Sequence, residues 1–406
     1  MSARPLNIAL LMHSLNPRGG VVHTLELAEA LIQHGHRVTL IAAGRPGQGL
    51  FRPSRALLSL APLGELPSGL VPMVGARIQA VRAHLRGLDL GRFDVLHSQD
   101  SITANALADL QHEGRIAGFV RTVHHLDAFD EPQLMAWQAR GVHAATTLLC
   151  VSALWQDTLL RDWGRPAHRV GNGVDRQRFQ PVVDAARQAR DEATLRQLGI
   201  APHGPCWLAV GGVEARKNTV RLLSAFTQVM HEAPAAQLVI AGGASLLEHA
   251  EAHRQFDRIR QLHGLAPGLM HAHRLVLTGP VDDEVLPAMY RRATALLMPS
   301  VQEGFGLVAI EAMACGTPAV VSRIAPFTEH LAPHEAFWVD PLDVADIARA
   351  LRDTLTPPEH TARAHLSPAV AARFDWQASA RQHLAVYQRA GSVAFTSPPL
   401  HPPCHA

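Results

Sequence analysis

The sequence predicts an α/β protein of two domains, and two observations lead to that prediction. The chain has 406 residues, which is more than a single hydrophobic core usually organises. An apolar strand at residues 6–12 leads through a glycine turn, Gly19-Gly20, into an amphipathic helix at 22–34 and a further strand. The same order returns in the second half, where a strand at 206–210 runs into Gly211-Gly212 and then a helix. Each half therefore predicts a strand, glycine turn, helix and strand in sequence.

Composition indicates where the two domains divide. Residues 176–204 lose strand character and become charged and rich in Ala and Gln, so a linker is expected there. It would join a first domain at 1–180 to a second domain at 205–376. The Pro-rich tail at 391–406 is expected to be disordered. The Gly-, Pro- and Ser-rich stretch at 45–72 indicates a long loop.

Charge and hydropathy argue against two classes of partner. The chain is 47% hydrophobic and 18% charged, as in ordinary soluble globular proteins, and its formal net charge is +2. No basic stripe interleaved with aromatic residues indicates nucleic-acid binding. No apolar run reaches the ~18 residues that a membrane span needs. The apolar run near the N-terminus is also too short for the usual layout of a signal peptide.

Cysteine and histidine usage predicts neither disulfides nor a metal site. The four cysteines, Cys150, Cys206, Cys315 and Cys404, have no paired spacing. Free thiols in a reducing compartment are the simplest interpretation, so a cytoplasmic location is expected. Most of the 25 histidines fall in predicted loops and on predicted exposed helix faces, in no metal-binding pattern.

Several familiar binding motifs are absent from the sequence. Neither half contains Gly-x-Gly-x-x-Gly after a strand, which counts against dinucleotide dehydrogenases. No Walker lysine loop is present, and no two aspartates are spaced two apart. An Asp-x-Asp metal pair is therefore missing, and no metal ion is expected to take part in the function.

The stretch from Glu303 to Glu311 is the most informative segment. A predicted strand at 295–298 is followed by a glycine-bearing loop and a short apolar helix at 307–314. Glu311 lies in the middle of that helix, where a carboxylate is costly to bury unless something hydrogen-bonds it. Hydroxyl groups of a sugar or ribose would do so. Glu303 lies at the carboxyl end of a strand, where open α/β sheets bind ligands. The alternative is a surface helix whose charged face carries Glu311.

The longer segment at 298–318 reads Met-Pro-Ser-Val-Gln-Glu-Gly-Phe-Gly-Leu-Val-Ala-Ile-Glu-Ala-Met-Ala-Cys-Gly-Thr-Pro. It resembles the signature of the family 4 retaining glycosyltransferases, and the resemblance extends over nearly all of residues 6–390. It implies the GT-B fold, in which two Rossmann-like domains with parallel sheets face each other across a cleft. It also implies a helix at about 377–390 that packs back on the first domain. The residue sequences of both glycine loops resemble those of a bacterial subgroup of the family whose substrate is uncertain.

The resemblance implies a hexosyltransferase that uses a nucleotide-diphosphate-sugar donor, an unknown acceptor and no cofactor. Glu311 would bind the ribose, Glu303 the hydroxyls of the donor sugar, and the loop containing Val281 the nucleobase. His124 resembles a first-domain histidine that lies near the donor sugar and the acceptor. The leaving diphosphate would be stabilised by Lys217, Arg216, the amides of Phe305, Gly306 and Leu307, and the Gly19-Gly20 turn. His124, Glu303 and Lys217 are the expected catalytic residues.

The sequence departs from the family at one position, and several motifs have simpler interpretations. Family members commonly carry an arginine just after the first glycine of the second loop, where this chain has Gly212. Lys217 would then act alone or with Arg216. The alternatives are a plain tight turn at Gly19-Gly20, solvated surface cations at 216 and 217, and a structural core histidine at His124.

Two other functions remain open at this stage. A sugar phosphorylase would keep the fold and site but use inorganic phosphate, and a non-catalytic nucleotide-sugar-binding protein would fit the loss of the arginine at Gly212. A basic helix at 74–88, with Arg77, Arg82 and Arg86, resembles helices that contact membrane surfaces in some relatives. An ordinary helix packed on the sheet, with a solvated basic face, is the favoured interpretation.

Overall fold

A computed structural model of the chain describes residues 4–182, 184–243 and 250–394. Its contacts divide the chain into two compact units. The first comprises the residues up to Gly173 together with those from Trp376 onward, and the second is Val174–Asp375. The first unit is therefore built from two separate stretches of chain.

The first unit is organised around a seven-stranded parallel sheet. Its strands are β1 (Asn7–Met12), β2 (Arg37–Gly44), β3 (Leu57–Pro62), β4 (Val95–Ser98), β5 (Val120–Val123), β6 (Thr147–Cys150) and β7 (Ala167–Arg169). They lie in the order β3-β2-β1-β4-β5-β6-β7. The helices of this stretch are α1 (Gly19–Gln33), α2 (Leu70–Arg86), α3 (Ser101–His112), α4 (Pro132–Ala144) and α5 (Ala153–Trp163).

The second unit holds a six-stranded parallel sheet. Its strands are β8 (Cys206–Val210), β9 (Gln237–Ala241), β10 (Leu275–Gly279), β11 (Ala295–Met298), β12 (Ala319–Ser322) and β13 (Phe337–Val339). They lie in the order β10-β9-β8-β11-β12-β13. Its helices are α6 (Ala185–Gln197), α7 (Thr219–Val229), α8 (Ala250–Leu262), α9 (Leu286–Arg292), α10 (Leu307–Ala314), α11 (Phe327–His330), α12 (Val344–Asp353) and α13 (Pro357–Ala371), and α14 (Trp376–Ala394) follows in the first unit.

The predicted order of strand, glycine turn and helix is confirmed in the second half. In the first half the predicted turn is wrong, because Gly19 and Gly20 have no positive φ and are the first two residues of α1. In β1, Ile8 pairs with Val38 of β2 on one side and Val95 of β4 on the other, and it is fully buried. In the second sheet, β8 lies between β9 and β11. Each pair of glycines thus follows the strand at which the order of the sheet reverses. Open α/β sheets bind ligands at the carboxyl ends of such strands.

The long loop predicted at 45–72 is wrong. It contains β3 and the beginning of α2. The strand was missed because it is an edge strand: among the described strands β3 pairs only with β2, and Leu57 at its start is 73% exposed. Such a strand needs no continuous apolar run, and its final residue is Pro62, which edge positions tolerate.

The segment expected to be a linker, 176–204, instead contains α6 and belongs to the second unit. Asp191 of α6 forms an ion pair with the buried side chain of Arg291 on α9, with an O–N distance of 2.6 Å. Leu195 of α6 is buried as well. Leu195 and Asp191 therefore attach α6 to the second unit, although the rest of the helix has the composition of a solvated segment.

The C-terminal helix α14 belongs to the first unit and packs against α1. Gln382 accepts a hydrogen bond from the amide of Gly171 at 2.6 Å, and Ser379 donates to the carbonyl of Gly171 at 2.6 Å. The helix reaches Ala394, inside the tail predicted to be disordered, and the rest of that tail lies outside the described residues. Across the part of the chain that the structure describes, no helix is both long and apolar enough to cross a bilayer.

Candidate functional site

In the second unit, the loop after β8 turns sharply on two glycines. Gly211 and Gly212 have φ angles of +132° and +75°, which side chains other than glycine rarely adopt. A Cβ at Gly212 would lie 2.7 Å from the carbonyl oxygen of Gly243. This backbone therefore has no room for the arginine that the family resemblance implies at this position.

Arg216 and Lys217 both point at Glu303. The Nζ of Lys217 donates to one carboxylate oxygen of Glu303 at 2.8 Å, and Nη1 of Arg216 lies 3.4 Å from the other. The side chains of Lys217 and Glu303 are only 13% and 10% exposed. Lys217 is thus a buried cation in an ion pair and not a solvated one.

The charges of this cluster set its protonation states. Burial alone would raise the pKa of Glu303, but the charges of Lys217 and Arg216 and the hydrogen bond from Lys217 lower it to about 2. Burial lowers the pKa of Lys217, and the charge of Glu303 opposes that shift. At neutral pH Glu303 is an anion that accepts hydrogen bonds, held between two cations.

Lys217 is also the only lysine in the 406-residue sequence, although lysine and arginine together number 37. Everywhere else the chain uses arginine as its basic residue. Lysine differs from arginine in being a compact point charge on a flexible stem, whereas arginine is a planar fork. The sequence analysis singled out Lys217 from its loop motif. That it is the chain's only lysine is a further signal, which that analysis did not use.

Asn218 fixes this loop to the neighbouring strands. It adopts the left-handed conformation, with φ of 61°, which Asn tolerates better than most residues. Its side-chain amide donates to the carbonyl of Pro299 at 2.9 Å and to that of Pro341 at 2.6 Å. These prolines follow β11 and β13, so one side chain ties the Lys217 loop to two further strand ends.

Helix α10 begins at the edge where Glu303 lies. Its N-cap is Gly306, with φ of +94°, and a Cβ there would come within 2.5 Å of the ring of Phe327. Phe305 is buried against His330 and Phe374. The first turn, from Leu307, contains no acidic residue, and no side chain in the described part of the chain caps it. The amides of 305–307 therefore stand at the positive end of the helix.

Glu311 is buried in α10, and Tyr290 satisfies part of the hydrogen-bonding capacity of its carboxylate. The hydroxyl of Tyr290 on α9 donates to Oε2 of Glu311 at 2.8 Å. Burial and the charge of Glu311 raise the pKa of Tyr290 well above its usual value, so the phenol keeps its proton. The sequence predicted the need for such a partner but not its identity.

Val281 lies half-buried in the loop after β10, as the sequence suggested. Two residues further on, Asp283 forms an ion pair with Arg178. This pair connects the Val281 loop with the start of the second unit.

In the first unit, Gly19 and Gly20 open α1, and Gly20 lies against the ring of His124. A Cβ built on Gly20 would be 3.5 Å from Cδ2 of His124, which is ordinary contact distance. The structure therefore brings together two of the predicted site elements from β1–α1 and from the end of β5. No atom of the described residues lies within 4 Å of a Cβ built on Gly19.

His124 belongs to a buried cluster that the sequence did not predict. His23, His97 and His383 are fully buried. The rings of His23 and His124 meet edge to face, with centroids 4.6 Å apart, and the centroid of His383 lies 5.7 Å from that of His23. The expectation that most histidines lie on loops and exposed faces missed these three. Their apolar neighbours in the sequence were the available signal.

Hydrogen bonds in this cluster fix the orientation of His124. Its Nε2 lies 3.1 Å from Oε1 of Gln99. The Gln99 amide nitrogen is 3.3 Å from both ring nitrogens of His97, so it lies over that ring rather than in its plane. The nitrogens of His97 instead bond Tyr387 at 2.7 Å and Thr122 at 2.8 Å. With the amide so oriented, Oε1 of Gln99 accepts a hydrogen bond from the Nε2–H of His124.

The imidazoles of the cluster are neutral at pH 7. Burial lowers the pKa of His124 to about 3 and that of His383 to about 4. Burial also holds the pKa values of His23 and His97 well below their usual range. Within the described ranges, no group of three or more His, Cys, Asp or Glu side chains is arranged to hold a metal ion.

Family models and known proteins match both halves of this chain. The model described as Glycosyl transferases group 1 matches residues 191–367, and the model described as Glycosyltransferase Family 4 matches residues 17–178. A D-inositol 3-phosphate glycosyltransferase of Xylanimonas cellulosilytica is 30% identical over 404 residues, which cover 92% of either chain. The chain therefore belongs to the group 1, family 4 glycosyltransferases and is an enzyme of that class.

Solved structures agree with this fold. Sucrose-phosphate synthase from Thermosynechococcus elongatus is similar with a TM-score of 0.76 at 22% identity, over 96% of this chain and 100% of that one. HepE from Anabaena, solved in complex with UDP-glucose, gives 0.73 at 17% identity, over 95% and 100%. The two Rossmann-like units are thus those of the GT-B fold, as the sequence resemblance implied.

Proposed function

We propose that this glycosyltransferase moves a hexose from a nucleotide-diphosphate sugar to an acceptor hydroxyl, with retained anomeric configuration and without a metal ion. The observation that carries the proposal is the cluster of Lys217, Arg216 and Glu303 beside the N-terminus of α10. It combines two cations and a helix dipole at the carboxyl ends of parallel strands, and such a cluster suits a diphosphate.

Lys217 and Arg216 neutralise the charge that grows on the leaving diphosphate. The amides of Phe305, Gly306 and Leu307 add hydrogen-bond donors that need no reorganisation during the reaction. These groups would do the work that a bound metal ion does in other transferases. The loss of arginine at Gly212 is offset by Arg216, which reaches Glu303 from four positions further along the loop.

Glu311 binds the ribose hydroxyls, and the Val281 loop meets the nucleobase. Tyr290 orients the Glu311 carboxylate by its hydrogen bond of 2.8 Å. Glu303 accepts hydrogen bonds from the donor sugar, for which its low pKa keeps it ionised. In the first unit, the Gly19-Gly20 pair offers main-chain amides to an anion, and neutral His124 hydrogen-bonds a sugar hydroxyl.

Transfer proceeds by attack on the face that the diphosphate leaves. The bond between the anomeric carbon and the phosphate oxygen breaks, and its electron pair stays with the diphosphate. The acceptor oxygen bonds to the same face of the anomeric carbon, and its proton passes to the departing phosphate oxygen. Retention is inferred from the family resemblance.

The relatives and the thiols support two narrower parts of the proposal. Because HepE was solved with UDP-glucose, UDP-sugars are the first donors to test. Among the described residues, Cys150, Cys206 and Cys315 are buried and form no disulfide, as expected of a bacterial enzyme that works in the cytoplasm.

Calorimetric titration with UDP-, GDP-, ADP- and TDP-sugars in EDTA tests the donor assignment. We expect saturable binding of one nucleotide class to the native protein, and affinity about 10²-fold weaker in Glu311→Ala, as for other preorganised polar contacts. Glu359→Ala removes an exposed acid of α13 and serves as the matched control. Unchanged affinity in Glu311→Ala would sink this site.

Turnover assays separate the remaining functions. Tight nucleotide binding without transfer to a broad acceptor panel would favour the non-catalytic protein, the function that Gly212 first suggested. Sugar 1-phosphate formation that depends on added phosphate would favour the phosphorylase.

A further inference from the structure

Arg178 is a charged side chain of the second unit that has no role in the mechanism described above. It lies in the segment that leads into α6, and its side chain is 18% exposed. The segment is held locally, because the carboxylate of Asp175 accepts hydrogen bonds from the amides of Gln177 and Arg178, at 2.9 and 3.2 Å. The backbone of Arg178 is therefore fixed independently of its side chain.

The side chain of Arg178 reaches the loop that follows β10. One terminal nitrogen of the guanidinium forms an ion pair with the carboxylate of Asp283, and the other donates a hydrogen bond to the backbone carbonyl of the same residue. The side chain of Asp283 is only 9% exposed. A planar guanidinium that bonds both the side chain and the backbone of one residue fixes the position and the orientation of that residue.

Asp283 lies two residues beyond Val281, in the loop proposed to meet the nucleobase. The loop joins β10 to α9, and it ends in a turn in which the amide of Val285 donates to the carbonyl of Asp282 at 2.9 Å. Arg178 is 105 positions away from Asp283 in the chain. A charged side chain from outside the loop thus holds the loop in place from a distant point of the sequence.

The segment of Arg178 also contacts the residues of the proposed ribose site. The guanidinium carbon of Arg178 lies 5.0 Å from the centroid of the Phe179 ring, and that ring packs against Tyr290, with centroids 5.8 Å apart. Tyr290 in turn donates its hydroxyl to Glu311. Two consecutive residues therefore contact the loop at the base end of the nucleotide and the tyrosine at its ribose end.

We propose that Arg178 is a positioning residue that determines nucleotide selectivity, because it holds the Val281 loop in one position against the base of the donor. The inference rests on the proposed function, since it deepens the assignment of that loop. UDP, GDP and ADP carry the same ribose and diphosphate, so only contacts at the base distinguish them. A loop fixed in one position excludes bases of the wrong shape, whereas a loop with several positions accepts more than one.

Calorimetric titration of Arg178→Met with UDP, GDP and ADP tests the proposal. We expect the nucleotide that native protein prefers to bind about 10- to 100-fold more weakly in the variant, from the worth of a charged hydrogen bond. The other two should lose much less, so the ratio of affinities narrows. Pyrophosphate, which has no base, should bind within about twofold of native affinity, because Lys217 and Arg216 are unchanged.

Asp283→Asn removes the other side of the ion pair and should narrow the same ratio. Adding Asp283→Asn to Arg178→Met should narrow it no further, because the two residues act through one contact. Asp191→Asn is the matched control. It breaks the ion pair with the buried Arg291, which holds α6 rather than the Val281 loop, and it should lower stability without changing the ratio.

Two results with the variants would overturn the proposal. One is a native ratio of affinities in both Arg178→Met and Asp283→Asn. The other is an equal loss for all three nucleotides and pyrophosphate, which would show that Arg178 only stabilises the fold. If Arg178→Met does not fold, Asp283→Asn decides, since it leaves the hydrogen bond to the backbone of residue 283 in place.

Native protein tests the donor assignment separately from the role of Arg178. Binding of none of the three nucleotides by native protein would refute the donor assignment and, with it, this inference. Equal affinity for all three in native protein would refute the inference alone. Failure of the proposed function is therefore distinguishable from failure of the proposal about selectivity.

Discussion

The two glycine pairs of this enzyme follow equivalent strands in two parallel sheets, but one pair has neutral neighbours and the other has charged ones. Gly19-Gly20 follows β1 and lies beside buried, neutral imidazoles. Gly211-Gly212 follows β8 and leads to an ion pair between Lys217 and Glu303. The same scaffold thus provides uncharged hydrogen bonds in one unit and fixed charges in the other.

This difference teaches that the scaffold does not determine the chemistry of the turn. In the first unit, burial keeps His124 neutral, because no carboxylate among the described residues bonds its ring. In the second, burial leaves Glu303 charged because two cations lie beside it. A group that must bind hydroxyls suits the first environment, and a group that must stabilise a leaving anion suits the second.

Removing the charge from the second turn should have the largest effect. We expect Lys217→Ala to lower kcat/KM by about 10²- to 10³-fold, because it removes a preorganised charge from the leaving diphosphate. Lys217→Arg should recover only part of the activity, since a planar fork does not replace a point charge. Steady-state kinetics with the nucleotide sugar identified by calorimetry measures both.

Arg254→Ala is the control for these variants, since Arg254 pairs with Glu251 on the exposed face of α8. If Lys217→Ala turns over like Arg254→Ala, the charge beside the second turn has no catalytic role.

Acid should weaken the first unit before the second. The folded pKa values of His124 and His383 lie below the usual 6.5, at about 3 and 4. Below pH 6.5 the unfolded chain binds protons that the folded unit does not, so stability is present above pH 6.5 and is lost as pH falls. Each imidazole contributes about 1.4 kcal/mol per pH unit in that range. Between pH 6.5 and 4.5, Glu303 adds no comparable loss, because its contribution is lost only below its usual pKa of 4.5, as pH falls toward its folded pKa of about 2.

Amide hydrogen exchange, corrected for intrinsic rates, measures this difference between pH 7 and 4.5. Helix α1 should lose protection steeply with acid, and α7 should lose much less. Parallel loss in the two helices would show that the imidazole cluster does not control the acid stability of the first unit.

The neutral hydrogen bonds beside the first glycine pair can be tested at Gln99. We expect Gln99→Leu to lower kcat by roughly 10-fold with little change in donor affinity, about the worth of one hydrogen bond. The ¹⁵N shifts of His124 should show that its proton is no longer held on Nε2. Gln111→Leu, which alters an amide on α3, is the control. A fall in melting temperature without a change in the ¹⁵N shifts would mean that Gln99 is only structural.

The smallest expected effect concerns metal ions. If the charges around Lys217 suffice for the leaving group, excess EDTA should leave kcat/KM within about twofold of its starting value, well inside the factor of ten that corresponds to 1.4 kcal/mol. Activity abolished by EDTA and restored by Mn²⁺ would show that these charges need a metal partner.

Sequence reasoning was accurate where the determining signal is local. The helix Leu307–Ala314 and the strands on either side of it were predicted from apolar runs and glycine stops, and the structure gives the same bounds. The positions of the Lys217 loop and of Glu303 at strand ends followed from the same local patterns. The edge strand β3 was missed because its side chains are half-exposed.

The partners that complete each turn could not be predicted, because they come from distant parts of the chain. His97 and Tyr387 are 290 residues apart, His23 and Asn172 are 149 apart, and Asn218 and Pro341 are 123 apart. Periodicity and spacing describe only neighbours within a helix or strand. The burial of His23, His97 and His383 and the role of Tyr290 therefore emerged only from the packing.

The return of α14 to the first unit has a consequence for how the enzyme is made. Residues 174–375 are all available to form the second unit before Trp376 leaves the ribosome. The first unit begins synthesis earlier but receives His383 and Tyr387, which close its imidazole cluster, only after all of the second unit has been synthesised. Of the two units, the one whose translation begins first is thus completed second. Until α14 has been synthesised, the face of α1 that binds it stays exposed on the nascent chain.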